Sequence, residues 1–305
     1  MRITVFTPTY NRAKTLPRLF ESLEKQTFKD FEWLIVDDGS TDNTEELVAA
    51  LMARQNAFNI VYKKTENGGK HRAINRGIRL ASGELTFIVD SDDWLPETSL
   101  EDVDNVEKSI KDKSEFGGVC GLKCYESEGV VGGTFDGEQL DITTIERKKF
   151  GIVGDKAEVY YTELLKKYPF PEFDGEKFAT ESLVWNKIAY DGYKLRFFNK
   201  NIYLCEYQAD GLSSSGNTLY ARNPKQWGLY ISQEYRFGAA GKKQTEIQIY
   251  LYYLYLKNKM TKQEMIENIG LGKSFFNRAI NKQRIIDVFR WLLHGGRTIK
   301  KTVRE

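Results

Sequence analysis

Four short, mostly apolar runs open the chain, and each stops at a polar cluster. Ile3 to Phe6 meets Thr7-Pro8-Thr9-Tyr10-Asn11-Arg12, and Phe31 to Val36 meets Asp37-Asp38-Gly39-Ser40-Thr41-Asp42. Ile60 to Lys63 leads to Glu66-Asn67-Gly68-Gly69-Lys70-His71, and Leu85 to Val89 drives into Asp90-Ser91-Asp92-Asp93. Such runs, bounded by turn-forming residues, predict buried strands. Between them the spacing turns helical, with Leu16, Leu19, Phe20 and Leu23 on one face of 13–26 and a further helix over 72–81 that Ser82-Gly83 stops. Ser40 or Thr41 is placed to cap the helix after the second strand, whose first turn holds Glu45 and Glu46 where the dipole favours them. Strand and helix alternating through the first ~95 residues predict a parallel sheet with right-handed crossovers. Ligands bind outside the carboxyl ends of such strands, so the four polar clusters should converge in one crevice.

Beyond residue 96 the pattern predicts a helix over 97–111, a strand over 117–124 and a loop or hairpin over 125–147. Helices follow at 160–167 and 177–191, then strands at 194–198 and 201–206. The small-residue segment 210–217 suits a mobile lid, with Arg222 and Lys225 behind it to close over a diphosphate or simply to face solvent. After Pro224 the spacing is wholly helical, at 225–237, 243–257, 261–269 and 273–303. The expected division is a catalytic domain over 1–220 and a helical extension over 221–305.

Composition narrows the class. At 305 residues, with 41% apolar and 13% aromatic residues, the chain can bury a sizeable core, and its formal net charge of +2 gives no nucleic-acid signature. The basic excess lies at the C-terminus, where Lys282, Arg284, Arg290, Arg297, Lys300, Lys301 and Arg304 face only Asp287 and Glu305. Cys120, Cys124 and Cys205 are odd in number and lack paired spacing, which argues against a disulfide framework or zinc site. With no leader-like segment and no apolar stretch near the ~20 residues of a membrane span, a soluble, cytoplasmic protein is expected. The first turn lacks G-x-G-x-x-G, which counts strongly against an NAD or FAD enzyme.

The acidic end of the fourth strand carries the sharpest chemistry. Three carboxylates in four positions repel one another unless a cation sits among them or water solvates them. Mg²⁺ and Mn²⁺ take one or two carboxylates together with substrate phosphates, so a metal–diphosphate site is one reading. A solvated turn capping the helix near Pro96, with Asp93 as the cap, is the other. Lys70 can reach a phosphate as a point charge. His71 could face the nucleotide, although a lone histidine is more often a packing residue.

Taken together, Thr7 to Arg12, Val36 to Asp42, Asn67-Gly68-Gly69 with Ala73-Ile74-Asn75-Arg76-Gly77, and Asp90 to Asp93 resemble a family 2 glycosyltransferase of the GT-A fold. The resemblance is specific over residues 1–95, diffuse to 210 and absent after about 225. It implies an α/β fold with a single Rossmann-like, mostly parallel sheet flanked by helices, plus the C-terminal helical extension. It implies transfer of a sugar from a nucleotide diphosphate, usually UDP, to a hydroxyl of a glycan or lipid-linked acceptor, with inversion at the anomeric carbon and a divalent cation, Mn²⁺ or Mg²⁺. The nucleotide would be held by Thr7, Pro8, Tyr10, Arg12, Asp38, Asn67, Gly69, Lys70, Asp90 and Ser91. In that pattern Asp38 accepts the uracil imide N–H, Asp90 contacts ribose or metal, and Asp92 coordinates the metal.

For the general base, the family pattern offers Glu-Asp four residues before an aromatic. Here Ala179-Thr180-Glu181-Ser182-Leu183-Val184-Trp185 puts Thr180 where the Glu stands and Glu181 where the Asp stands. The base is therefore read as Glu181, one methylene longer, with Asp174 and Glu176 as nearby alternatives. Two competing readings concern the tail. Residues 261–275, with Arg278 and Lys282 downstream, have the helix–glycine turn–helix look of a DNA-binding unit, which would leave the four N-terminal motifs unexplained. The basic amphipathic helix after Lys282 could instead lie on an anionic inner leaflet, or pack on the catalytic domain or a sister subunit. A catalytically silent, nucleotide-sugar-binding homologue is the remaining alternative.

Overall fold

Strands β1 (Ile3–Thr9) and β2 (Phe31–Asp37) are buried along their whole length, so both faces of this part of the sheet are covered. The computed structural model describes residues 1–127, 129–206 and 216–293, with 288–293 described by backbone alone. It divides into two units, Met1–Gly216 and Asn217–Glu305. In the first unit α1 (Leu16–Glu24), α2 (Thr44–Met52), β3 (Asn59–Lys64), α3 (Lys70–Leu80) and β4 (Leu85–Ile88) complete the alternating half. The chain continues through α4 (Ser99–Lys108), β5 (Phe116–Tyr125), β6 (Gly129–Val130), β7 (Gln139–Ile142) and a 3₁₀ segment, Thr144–Phe150. It ends with β8 (Lys156–Tyr161), α5 (Thr162–Lys167), α6 (Ser182–Tyr190) and β9 (Lys194–Cys205).

The strands form one sheet in the order β3-β2-β1-β4-β8-β5-β9-β7, with β6 paired to β5. β3, β2, β1 and β4 run parallel. β8 is inserted antiparallel between β4 and β5, and β9 runs parallel to β5. The start of β8 and the ends of β1, β4, β5 and β9 therefore meet at the same edge. On one face Ile3, Val5, Trp33, Ile35 and Phe87 pack with Leu19, Phe20, Leu100 and Val103. On the other, α3 lies so close that a Cβ on Gly77 would come within 2.2 Å of the Phe6 ring.

Several expectations are corrected. Residues 160 and 161 are not helical; they end β8, where Tyr160 and Tyr161 suit a covered pleated surface better than a helix. The two strands expected at 194–198 and 201–206 are one continuous strand, β9. Neither Ser40 nor Thr41 caps α2, whose N-cap is Asn43; Ser40 Oγ instead accepts the Asn11 N–H at 2.8 Å. α4 starts at Ser99 with Thr98 at its N-cap, so Asp93 does not cap it. Residues 207–215, most of the expected lid, and 294–305, the end of the basic tail, lie outside the described residues, as do the side chains of Arg290 and Trp291.

The second unit opens with α7 (Gly216–Ala221) and continues as α8 (Pro224–Arg236), α9 (Lys242–Leu256), α10 (Lys262–Ile269) and α11 (Lys273–Leu293). Thr261 and Glu264 form a capping box at α10, and Gly270, with φ of 65°, ends it. Met265, Ile269 and Phe276 pack with Trp227 and Tyr252, which accounts for the helix–glycine–helix spacing as packing at an αα corner. Arg222 and Lys225 belong to this unit. All three cysteines are buried thiols, and no helix among the described residues is long and apolar enough to cross a membrane.

At the sheet edge opposite the polar clusters, Arg2 pairs with Asp104 at 2.7 Å and also with Glu84 and Glu107. Burial alone would raise the carboxyl pKa values of Asp104 and Glu107. Lys108 and Arg2 at the first, and Lys113, Tyr161 and Arg2 at the second, outweigh it and hold both below the ordinary range. Breaking a buried pair leaves an uncompensated charge, so Arg2→Met is expected to cost roughly 3 kcal/mol at pH 7 by urea denaturation. Depressed carboxyl pKa values contribute stability that is present above the unfolded values and lost as pH falls through the folded ones. The gap between Arg2→Met and wild type should therefore narrow below about pH 4.

Candidate active site

The polar ends of β1 and β2 are laced to each other, to β3 and to the loop before α3. Asn11 sits at a φ of 54°, and its Oδ1 accepts the Thr41 N–H at 2.8 Å. Asp37, fully buried, is a structural acceptor: its oxygens take the Ser40 N–H at 2.7 Å and the Tyr62 hydroxyl at 2.6 Å. Asp38 faces the loop before α3, accepting the Gly68 and Gly69 N–H groups at 2.8 and 2.7 Å and the Asn67 amide at 3.2 Å. A carboxylate has about four acceptor sites, so one remains for an N–H from outside.

These ends open into a crevice of about 690 Å³. Pro8, Tyr10, Arg12, Asp38, Asn67, Gly69, Lys70, Asp90, Ser91 and Asp92 all line it. Thr7 does not; it is fully buried, and its hydroxyl accepts the Trp33 indole N–H at 3.0 Å. His71 lies buried in α3 outside the lining, its pKa pushed down to about 4 chiefly by burial, so it is neutral and does not face the crevice.

Glu181 reaches this group through Lys70. The Lys70 ammonium stands 2.7 Å from Asp90 Oδ1 and 2.9 Å from Glu181 Oε1. Burial would lower its pKa, but the two carboxylates outweigh that and hold it well above the usual lysine value. Glu181 occupies the N-cap of α6, yet its carboxylate makes no capping bond. α6 is anchored by Trp185, stacked on Tyr160 with ring centroids 4.5 Å apart, and by buried Leu183, Val184 and Ile188. Glu181, exposed Asp174 and buried Glu176 all stand outside the crevice lining, and of the three Glu181 is the one that pairs with a lining residue, Lys70.

Sequence reasoning missed the residues that hold these parts in place. Arg72 donates to the carbonyls of Phe173 and Glu176 at 2.7 and 2.6 Å, and Asn75 exchanges hydrogen bonds with the Phe170 backbone. Together they tie the segment before Glu181 to α3. Arg18 lies over the Trp94 ring at 3.8 Å, donates to the Asp92 carbonyl at 2.6 Å and pairs with Glu206 at 2.8 Å. Lys123 pairs with Asp93 at 3.1 Å, and burial still pushes the Asp93 carboxyl up to about 6. Lys123, Tyr125, Val131, Asp155, Cys205 and Glu206 also line the crevice.

The donor set fits a hard divalent ion only in combination with phosphate. Among the described residues no three acidic, histidine or cysteine side chains gather into an all-protein metal site. Asp90 and Asp92, both partly exposed at 33% and 21%, offer the one or two carboxylates such an ion takes when a diphosphate supplies the rest. Arg12 stands 4.0 Å from Asp92.

The sequence profile described as glycosyl transferase family 2 matches residues 4–106. Glycosyltransferase GlyG of Streptococcus pneumoniae is 32% identical over 214 residues, covering 66% of this chain and 69% of the relative. A β-1,3-glucosyltransferase of Campylobacter jejuni, named for a GalNAc(5)-diNAcBac-PP-undecaprenol acceptor, is 30% identical over 60% of this chain and 58% of its own length. Among solved structures, S. aureus TarS 1–349 in complex with UDP-GlcNAc superposes with a TM-score of 0.62 over 97% of this chain and 87% of that one, at 23% identity.

Proposed function

The chain belongs to glycosyl transferase family 2, and from that premise we propose that it moves a sugar from a UDP-sugar to a hydroxyl of a glycan or lipid-linked acceptor, with inversion. The observation that carries this reading is the Lys70 bridge, which brings Glu181 to Asp90 across more than ninety positions of sequence. Asp38, with the loop at Asn67 and Gly69, receives the base, and Tyr10 offers it a stacking face. Arg12 and Lys70 face the diphosphate. Glu181 takes the proton from the acceptor hydroxyl, the oxygen attacks the anomeric carbon, and the bond from that carbon to UDP breaks, in one in-line displacement. A divalent cation on Asp92 and Asp90 supplies charge neutralisation to the departing diphosphate when bound. Lys123, which lines the crevice, is already committed to Asp93, which favours an acceptor terminus without phosphate.

Calorimetric titration with UDP, with and without Mn²⁺, tests the donor side. Binding that strengthens at least about tenfold with Mn²⁺ is expected, because Asp90 and Asp92 would hold a cation that offsets the charge of the diphosphate. Failure to bind UDP in either condition, together with binding of duplex DNA, would overturn the transferase reading in favour of the tail as a nucleic-acid module. UDP binding without turnover of any sugar nucleotide would leave a silent homologue.

A further inference from the structure

We propose that Glu181 and the donor diphosphate compete for Lys70, so that donor binding releases Glu181 to meet the acceptor. This rests on the functional reading above and adds a positioning role for Lys70 within it.

The geometry is unusual for a lysine that only waits for phosphate. One ammonium holds two carboxylates from different elements, Asp90 at the end of β4, which lines the crevice, and Glu181 at the start of α6, which Lys70 ties to it from outside the lining, at 2.7 and 2.9 Å. Lys70 is the cation that pairs directly with both; Lys123 and Arg12 act on Asp90 as well. Lys70 itself lines the crevice beside Arg12 and Asp90, where a diphosphate would arrive. A diphosphate carries more negative charge than one carboxylate, so it draws the ammonium toward itself. Of the two partners, Glu181 is the one that can yield. It is 40% exposed, its side chain is the longer of the two, and no capping bond holds it in place. Asp90 is fixed from behind, since its backbone N–H donates to the Tyr203 hydroxyl at 2.9 Å.

The consequence is chemical as well as steric. A carboxylate occupied by an ammonium has a lone pair fewer to offer a hydroxyl proton. Held on Lys70, Glu181 is parked; freed by the donor, it can accept. The extra methylene of Glu181 over an aspartate gives it the reach to swing between these two positions.

A double-mutant cycle on UDP binding, at saturating Mn²⁺ and without acceptor, reads this competition directly. Glu181→Gln removes the competing charge and is expected to tighten UDP binding by roughly three- to tenfold. Lys70→Met should weaken UDP binding, and in that background Glu181→Gln should shift affinity by less than about twofold. Lys70→Arg, which keeps the charge, should restore the dependence on Glu181. If Lys70→Met does not fold, Lys70→Gln serves in its place, and thermal melts report which variants are native. An unchanged or weakened UDP affinity in Glu181→Gln overturns the proposal, as does an equal shift in both backgrounds. Absence of UDP binding by the wild-type protein would strike the donor reading instead, so the two failures are distinguishable.

Discussion

Glu181→Gln is expected to lower the rate of sugar transfer by roughly 10²- to 10⁴-fold, the usual contribution of a positioned general base. The glutamine keeps the size of the side chain and the N-cap position of α6, so Trp185 should stay on Tyr160 and the fold should be unaffected. A continuous assay of UDP release, run at saturating donor, separates this loss from any change in donor binding. Asp174→Asn, at an exposed position away from the crevice, should leave the rate within about twofold, since exposed substitutions away from special features have small effects. Full transfer activity in Glu181→Gln would show that the base lies elsewhere. Glu181 has the reach for the role, as the carboxylate that α6 delivers to the Lys70–Asp90 pair.

How far this site was legible in the sequence depends on where its parts lie. The strand ends of the first half were readable because β1, β2 and β4 are buried runs that stop abruptly at polar residues, and a parallel sheet gathers such ends at one edge. β8 was not readable as a strand. Lys156 to Tyr161 precede Thr162–Lys167, and the helical spacing of Leu164 and Leu165 spreads backward over the two tyrosines. Only the antiparallel insertion between β4 and β5, a tertiary fact, makes them pleated. Asp93 shows the same limit from the other side. A carboxylate just before a helix suggests a cap, but its partner is Lys123, thirty residues on in β5. Asn75 left a signal that could have been used. Asparagine is a poor helix former, so one in mid-helix needs a reason. Here the reason is the Phe170 backbone, and through it the approach to Glu181.

Gly69→Ala is expected to disable the site by a different route, through backbone rather than charge. Gly69 has a φ of 99°, and a Cβ there would stand 2.0 Å from the Lys177 carbonyl oxygen and 2.8 Å from its Cα. Those are backbone atoms that Arg72 and Asn75 help hold against α3, so they cannot step aside cheaply. With ψ at 154° Gly69 sits in a region essentially open to glycine alone, which strains an alanine by about 1–3 kcal/mol, and the overlap adds to that, for roughly 3 kcal/mol or more in all. Gly175→Ala is the control for a positive φ without overlap. Gly175 lies in the same tied segment with a φ of 79°, but nothing stands within 4 Å of its Cβ position, so only the conformational cost of about 1–2 kcal/mol should appear. The functional loss should exceed the loss in stability. Relieving the clash must move either α3's first turn or residues 176–178. Moving the first turn breaks the Gly69 N–H bond to Asp38 and shifts Lys70, so UDP affinity should fall by at least about tenfold in Gly69→Ala, a loss of 1.4 kcal/mol or more. In Gly175→Ala it should stay near wild type. Urea denaturation and UDP titration of both variants test this together. Wild-type UDP affinity in a destabilised Gly69→Ala would mean that the Gly68-Gly69 loop does not hold the nucleotide, whatever Asp38 does.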